Sequence, residues 1–309
     1  MGPKKAAKKK GGDKKDDEED LSVDQFWKHY KKKCTELAVT ASPIIKEKYE
    51  EYQEEGDPIK KFHLWDELGW AGVRAIMDAL RHVKYAHTTS IRLWKTFCED
   101  EGVRAVCQYA EMAPNLACME LLDNKMTPLG CEFVARVMHP KTGSNIKILK
   151  LDHNPFGSEG VMRLADGLAM NANVESISMT YCNIDQHGAR AIFDILIFTQ
   201  SKLSEFFLSG NNLRNEGIII ILKGLKVVKN MKKIYLADNQ FHDSEEVMLQ
   251  IEDTFRSNPE LKRYDFTFNN FRNEGIEKLT EVLDEAKHVY EVQISERVDK
   301  EIMKAFYDK

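Results

Sequence analysis

Ile148-Leu-Lys-Leu-Asp-His-Asn-Pro-Phe-Gly-Ser-Glu-Gly160 is the stretch whose reading decides the fold. Leu149 and Leu151 flank polar Lys150 and describe a short strand with one buried face. Asn154 follows the last inward apolar residue by three positions, Phe156 by five and Gly160 by nine. Working outward, the same offsets recur along the chain. The anchors are Leu64, Leu93, Leu121, Leu151, Met179, Leu208, Leu236, Phe266 and a partial unit at Ile294, spaced 28 to 30 residues apart.

Three past each anchor from Leu121 stand Asn124, Asn154, Cys182, Asn211, Asn239 and Asn269. Five past stand Met126, Phe156, Ile184, Leu213, Phe241 and Phe271, and nine past Gly130, Gly160, Gly188, Gly217, Glu245 as the exception, and Gly275. The first two units are irregular, with Thr96, Cys98 and Gly102 in the second, as terminal units of an array often are. A buried Asn supplies both donor and acceptor where a strand ends and its backbone groups lose their partners. Each Gly is expected to open a helix, such as 161–170 or 218–228, whose apolar residues at spacings of three and four pack onto the strands. No unit buries its own apolar face, so neighbours must stack.

The pattern L-x-x-L-x-L-x-x-N/C-x-L, clearest in 148–160, 206–217 and 264–275, resembles the leucine-rich repeats of the ribonuclease-inhibitor class. The resemblance covers about three quarters of the chain and implies an α/β leucine-rich-repeat solenoid, a horseshoe with parallel strands on the concave face, helices on the convex face, about eight repeats and helical caps. It specifies architecture rather than chemistry, since the class serves many partners.

The expected organisation is a charged, disordered segment over 1–20, a helical cap over 21–60, repeats over 61–288 and a second cap over 289–309. The first segment carries Lys4, Lys5, Lys8, Lys9, Lys10, Lys14 and Lys15 and then five consecutive acids. Such a block polyampholyte lacks the apolar content to fold; it reads either as a solubilising tail or as a segment that engages a polyanion, with acidic tubulin tails, nucleic acid and membrane phosphate as candidates, and its lysines fit a nuclear-localisation signal as well. Ser22-Val23-Asp24-Gln25 reads as a capping box opening a helix with Val23, Phe26, Trp27, Tyr30, Cys34 and Leu37 on one face. Ser42-Pro43 opens a second, ending at Gly56. At the other end a strand around Val292 and Ile294 and a helix carrying Val298, Ile302 and Phe306 are expected to close the array.

Of 309 residues 42% are hydrophobic, enough for a continuous core, and a net charge of −5 gives no general case for nucleic acid. The six cysteines show no zinc spacing, and Cys98 and Cys182 fall at core positions, so reduced thiols and an intracellular, cytoplasmic setting are expected. No secretory segment, no apolar run near membrane-spanning length and no N-x-S/T sequon is present, so no membrane insertion is expected. Walker A, G-x-G-x-x-G, H-E-x-x-H, G-x-S-x-G and EF-hand patterns are absent, and the nine histidines are dispersed. Neither catalysis nor a metal or cofactor is expected.

The period assigns surface residues instead. The row before the anchor reads His63, Arg92, Glu120, Lys150, Ser178, Phe207, Tyr235 and Asp265; the row after it reads Trp65, Trp94, Leu122, Asp152, Thr180, Ser209, Ala237 and Thr267. Trp65, Arg92, Trp94 and Leu122 form an expected apolar and cationic patch, joined as partner-binding residues by Lys150, Tyr181, Phe207 and Tyr235. The competing reading folds the first two helices over the tryptophans. Lys223, Lys226, Lys229, Lys232 and Lys233 cluster near a helix C-terminus, where the macrodipole favours them.

The reading that follows is a non-enzymatic protein-interaction scaffold. A lysine-rich start on such repeats looks like that of ciliary and flagellar axonemal components, which implies a subunit of a radial spoke or dynein-regulatory complex. Two alternatives remain, a small-GTPase regulator similar to the Ran GTPase-activating protein and an enzyme inhibitor similar to ribonuclease inhibitor. No catalytic residue of the first can be matched, and the second family is much richer in cysteine.

Overall fold

A computed structural model describes residues 21–295 and 298–308; the lysine block from Lys4 to Lys15 and its acidic run lie outside the described residues. Two helices come first, α1 (Ser22–Glu36) and α2 (Pro43–Glu55). Strand and helix then alternate: β1 (Lys61–Leu64), α3 (Gly69–His82), β2 (Ser90–Trp94), α4 (Glu99–Ala110), β3 (Cys118–Leu122), α5 (Pro128–Met138), β4 (Ile148–Lys150), α6 (Gly157–Leu168), β5 (Ser176–Ser178), α7 (Ala189–Leu196), β6 (Glu205–Phe207), α8 (Arg214–Leu225), β7 (Lys233–Tyr235), α9 (Glu245–Ser257), β8 (Arg263–Asp265), α10 (Asn273–Glu285), β9 (Glu291–Gln293) and α11 (Lys300–Tyr307).

The strands form one parallel sheet in sequence order, β1 to β9. Equivalent positions therefore meet across the sheet, as in Arg92↔Glu120 and Glu120↔Lys150. Every anchor from Leu64 to Phe266 is fully buried, and the helices bury their facing sides on that layer to give one continuous core. The architecture is an α/β solenoid. Its strands are short because each repeat contributes only the few residues that register with the neighbours.

The recurrent asparagines tie repeat to repeat. Asn154 Oδ1 accepts from Asn124 N at 2.9 Å and Met126 N at 3.0 Å, while its Nδ2 donates to Leu121 O at 2.7 Å and Leu151 O at 2.8 Å. Asn211 repeats this with Cys182 N, Ile184 N, Met179 O and Leu208 O. Cys182, in the same position, keeps only the donor half, its Sγ reaching Leu151 O and Thr180 O at 3.4 Å. Two residues past the anchor the chain passes through the left-handed region at Lys95, Asp123, His153, Tyr181, Asp238 and Phe268. Only the equivalent Gly210 is glycine, so the other turns carry a steric cost that the ladder must hold in place.

Two expectations are corrected. Most repeat glycines do not open the helices: α6 begins at Gly157 and α8 at Arg214, three residues before Gly160 and Gly217, whereas Gly188 does stand at the start of α7. Gly160 is required for close packing, because a Cβ there would sit 2.6 Å from the Phe156 ring. The Ser22 capping box is also not formed; Leu21 holds the cap position without a side-chain bond. Asp24 instead accepts from Tyr49 Oη at 2.7 Å and Gln53 Nε2 at 3.0 Å and so ties α1 to α2. The second helix starts with Ser42 Oγ accepting from Ile45 N and ends at left-handed Gly56.

Helix α1 packs along α3, with Phe26 edge-on to Phe62 at 5.7 Å and fully buried beside Tyr30. At the other end Met303 and Phe306 of α11 are buried, with Val298 ahead of the helix.

Candidate functional site

The helices cover one face of the sheet and leave the other open. On that open face the row before the anchors brings Arg92, Glu120 and Lys150 side by side on β2, β3 and β4. Arg92 Nε bonds Glu120 Oε2, and Lys150 Nζ lies 3.1 Å from Glu120 Oε1. Glu120 was assigned to the surface, yet it is 3% exposed. Burial opposes its ionisation, but the bonds from Arg92 and Lys150 outweigh that, and its carboxyl titrates below the ordinary range. Both cations picked out from the sequence are thus held together by an acid that the sequence reading did not single out. The signal was present: charges of alternating sign stand at one repeat offset in three successive units.

The row after the anchors is different in kind. Trp65 is 62% and Trp94 52% exposed, with half-buried Leu122 beside Trp94 in register. The N-terminal helices cap the interior of the first repeat and leave both indoles open. Lys95 lies over the Trp94 ring at 5.8 Å and pairs with Asp123 at 3.6 Å. A depression of about 440 Å³ follows, walled by Trp94 and Leu122 on one side and Phe207 on the other, with Lys150, Asp152 and Ser178 on its floor. Asp152 Oδ1 accepts from Ser178 Oγ at 2.5 Å and Thr180 N at 2.8 Å, which fixes the floor.

The remaining aromatic residues form separate pairs. Tyr181 stacks on His153 at 5.1 Å and remains 48% exposed, while Phe207 and Tyr235 stack face to face at 4.3 Å and are half-buried. Phe268 lies beyond them, on a larger hollow of about 790 Å³ at the end of the sheet that Val289, Tyr290, Ile294 and Tyr307 also line. The first cluster joins aromatic, aliphatic and charged groups across the consecutive strands β2, β3 and β4.

His82 meets His29 of α1, ring centroids 3.9 Å apart. Burial, then His82, holds the His29 pKa below its ordinary value. Among the described residues no group of three His, Cys, Asp or Glu side chains is placed to hold a metal ion. Cys98, Cys107, Cys131 and Cys182 are buried free thiols whose ionisation burial suppresses. No helix among the described residues is long and apolar enough to cross a membrane.

A family model described as "Leucine Rich repeat" matches residues 144–165. Human NACHT, LRR and PYD domains-containing protein 13 is 26% identical over 170 residues, 54% of this chain and 16% of its own length. Human NACHT, LRR and PYD domains-containing protein 14 is 26% identical over 224 residues, 63% of this chain and 20% of its own length. Ribonuclease inhibitor of Mus musculus is 26% identical over 187 residues, 60% of this chain and 40% of its own length. The chain therefore spans at most two fifths of these relatives. Taken with the nine-stranded parallel sheet, the 28-to-30-residue period and the asparagine ladder, they support a leucine-rich-repeat solenoid similar to the ribonuclease-inhibitor class.

Proposed function

We propose that this chain is a non-enzymatic scaffold that grips a protein partner on the open, concave face of its sheet, through Trp65, Trp94 and Leu122 and the depression leading to Phe207. The observation that carries this reading is the pair of adjacent, more than half-exposed tryptophans. A large apolar ring left in water on a rigid strand is the usual material of a binding hot spot, because little ordering is needed when a partner covers it. Arg92 and Lys150, held by Glu120, present a rigid net-positive rim beside the rings. Tyr181, Phe207 and Tyr235 extend the contact surface towards the C-terminal repeats.

The lysine block from Lys4 to Lys15 supplies a second contact to a polyanion such as an acidic tubulin tail. The cellular setting we propose is the cytoplasm, and within it the axoneme of a cilium or flagellum, with the chain as a structural subunit of a radial spoke or dynein-regulatory complex. The relatives' shared repeat supports the scaffold part of this reading, and the lysine-rich start supports the axonemal part.

The test is recovery of partners from ciliated cells with wild-type chain and with Trp65→Ala/Trp94→Ala. Loss of specific partners, with the melting temperature preserved, is the expected result; unchanged recovery would remove the tryptophans from the interface. Retention of the tagged chain in detergent-extracted axonemes checks the location, and full release into the soluble fraction would overturn it.

A further inference from the structure

The edge of the solenoid where helices give way to strands carries a group of cations that the concave-face reading does not use. Ser204 O accepts from Lys232 N at 2.8 Å and Lys232 O accepts from Lys262 N at 3.0 Å, so these positions are successive rungs ahead of β6, β7 and β8. Lys202, Lys229 and Lys232 line a hollow of about 510 Å³ together with Ser204, Asn230, Glu175 and Glu260.

Neighbouring cations are compensated across the repeats: Lys226 with Asp253 at 3.0 Å, Lys233 with Glu205 at 2.6 Å, Arg263 with Glu291 at 3.3 Å and Lys147 with Glu175 at 3.1 Å. Lys202, Lys229, Lys232 and Lys262 are exposed, and none has a carboxylate partner among the described residues. Helix-dipole compensation accounts for Lys223 and Lys226 at the end of α8, but Lys232 and Lys262 lie beyond helix ends, at the start of strands. Like charges on adjacent strands repel. A chain whose net charge is −5 nevertheless concentrates them here.

We propose that this ledge docks an acidic segment of a protein partner, an extended run of about four residues rich in Asp or Glu. The length follows from three rungs about 4.8 Å apart read by a chain rising about 3.3 Å per residue. Asn230 Nδ2 and Ser204 Oγ are already committed to Ser201 O and Glu175 O, so recognition is by charge and is salt-sensitive. With Glu175 and Glu260 beside the three lysines the hollow carries little net positive charge, which suits a short run of carboxylates rather than the many phosphate contacts that nucleic-acid binding draws on. The ledge lies at the starts of the strands, whereas Trp65 and Trp94 lie at their ends, so the two surfaces bind independently.

The experiment uses the full chain with Lys4, Lys5, Lys8, Lys9, Lys10, Lys14 and Lys15 changed to Gln, so that the N-terminal block does not compete. Fluorescein-labelled hexaglutamate is titrated at low ionic strength, with labelled hexaglutamine and a short oligothymidylate as comparisons. Hexaglutamate is expected to bind, to weaken with salt, and to lose about tenfold in affinity on Lys202→Glu/Lys229→Glu/Lys232→Glu, with intermediate loss for the three Gln replacements. Binding should persist in Trp65→Ala/Trp94→Ala, which separates this proposal from the concave-face reading. Absence of hexaglutamate binding, indifference to the triple reversal in a variant of unchanged melting temperature, or tighter binding of oligothymidylate overturns it.

Discussion

The open face over β1 to β4 and the same face over β6 to β8 are built on one backbone plan, yet they present opposite surfaces. In the first, the outward rows carry Trp65, Trp94 and Leu122 beside the Arg92–Glu120–Lys150 triad. In the second they carry Ser209, Thr267 and a buried Ala237, and Phe207 and Tyr235 satisfy one another by stacking. Both halves share the asparagine ladder beneath, Asn124 and Asn154 in one and Asn211, Asn239 and Asn269 in the other. The difference teaches that stacking dictates the inward positions and leaves the outward ones open to use for binding. Changes to the ladder should therefore cost stability in either half, whereas changes to the rows should cost binding in the first.

The largest effect is expected from Asn154→Ala, which strips partners from four buried backbone groups. An unsatisfied buried group costs ~1–3 kcal/mol, and partial relaxation brings the total to roughly 4 kcal/mol, read by urea denaturation. Cys182→Ala removes only two weak donor contacts and should cost about 1–2 kcal/mol. Equal losses at the two sites would mean that the ladder is not what holds the turns.

Next comes Gly167→Ala, whose Cβ would lie 2.0 Å from Ala135 O where α6 meets α5. Forcing the helices apart should cost about 2–3 kcal/mol, while Gly224→Ala should cost less, because the tight contacts at 3.2 Å are with the side-chain ends of Leu196 and Phe193 rather than with backbone.

A smaller effect is expected from Glu120→Gln, which leaves Arg92 and Lys150 sharing a neutral amide and should cost roughly 1–3 kcal/mol near neutrality. The sign with pH follows from linkage. The folded-state pKa of Glu120 is depressed, so its contribution is present above the ordinary value of 4.5 and is lost as pH falls through the lower folded value. Stability of the wild type and of Glu120→Gln should converge on acidification, and a constant gap down to low pH would rule out the ionised triad.

The smallest change in stability, within about 1 kcal/mol, is expected for Trp65→Ala and Trp94→Ala, since both rings are more than half exposed. A large loss would show them to be structural and would erase the contrast between the two halves.

Much of the fold was legible because repetition multiplies a weak signal. A single Leu-x-Leu run is ambiguous, but anchors recurring from Leu64 to Ile294 fix both the strands and the order in which they pair. Gly160 and Gly217 do not start their helices, although Gly188 does, because a period gives a position and not its reason; the distance from Gly160 to the Phe156 ring supplies that. The outward rows could be written down from the period, and Trp65 and Trp94 fall where it puts them. Glu120 could not be placed correctly, because its burial depends on Arg92 and Lys150 closing over it from neighbouring strands.

The sequence by itself determined the solenoid: a 28-to-30-residue period of apolar anchors and asparagines has few ways to bury its apolar faces and satisfy its turns other than parallel stacking. Tertiary structure alone decided which exposed groups act together. Arg92 meets Lys150 through an acid between them, the cap helices leave both tryptophans bare, and Lys202, Lys229 and Lys232 gather around one hollow with Glu175 and Glu260. The physical reason is range. Periodicity and burial are local and additive, whereas charge compensation and exposure depend on residues that become neighbours only once the repeats have stacked.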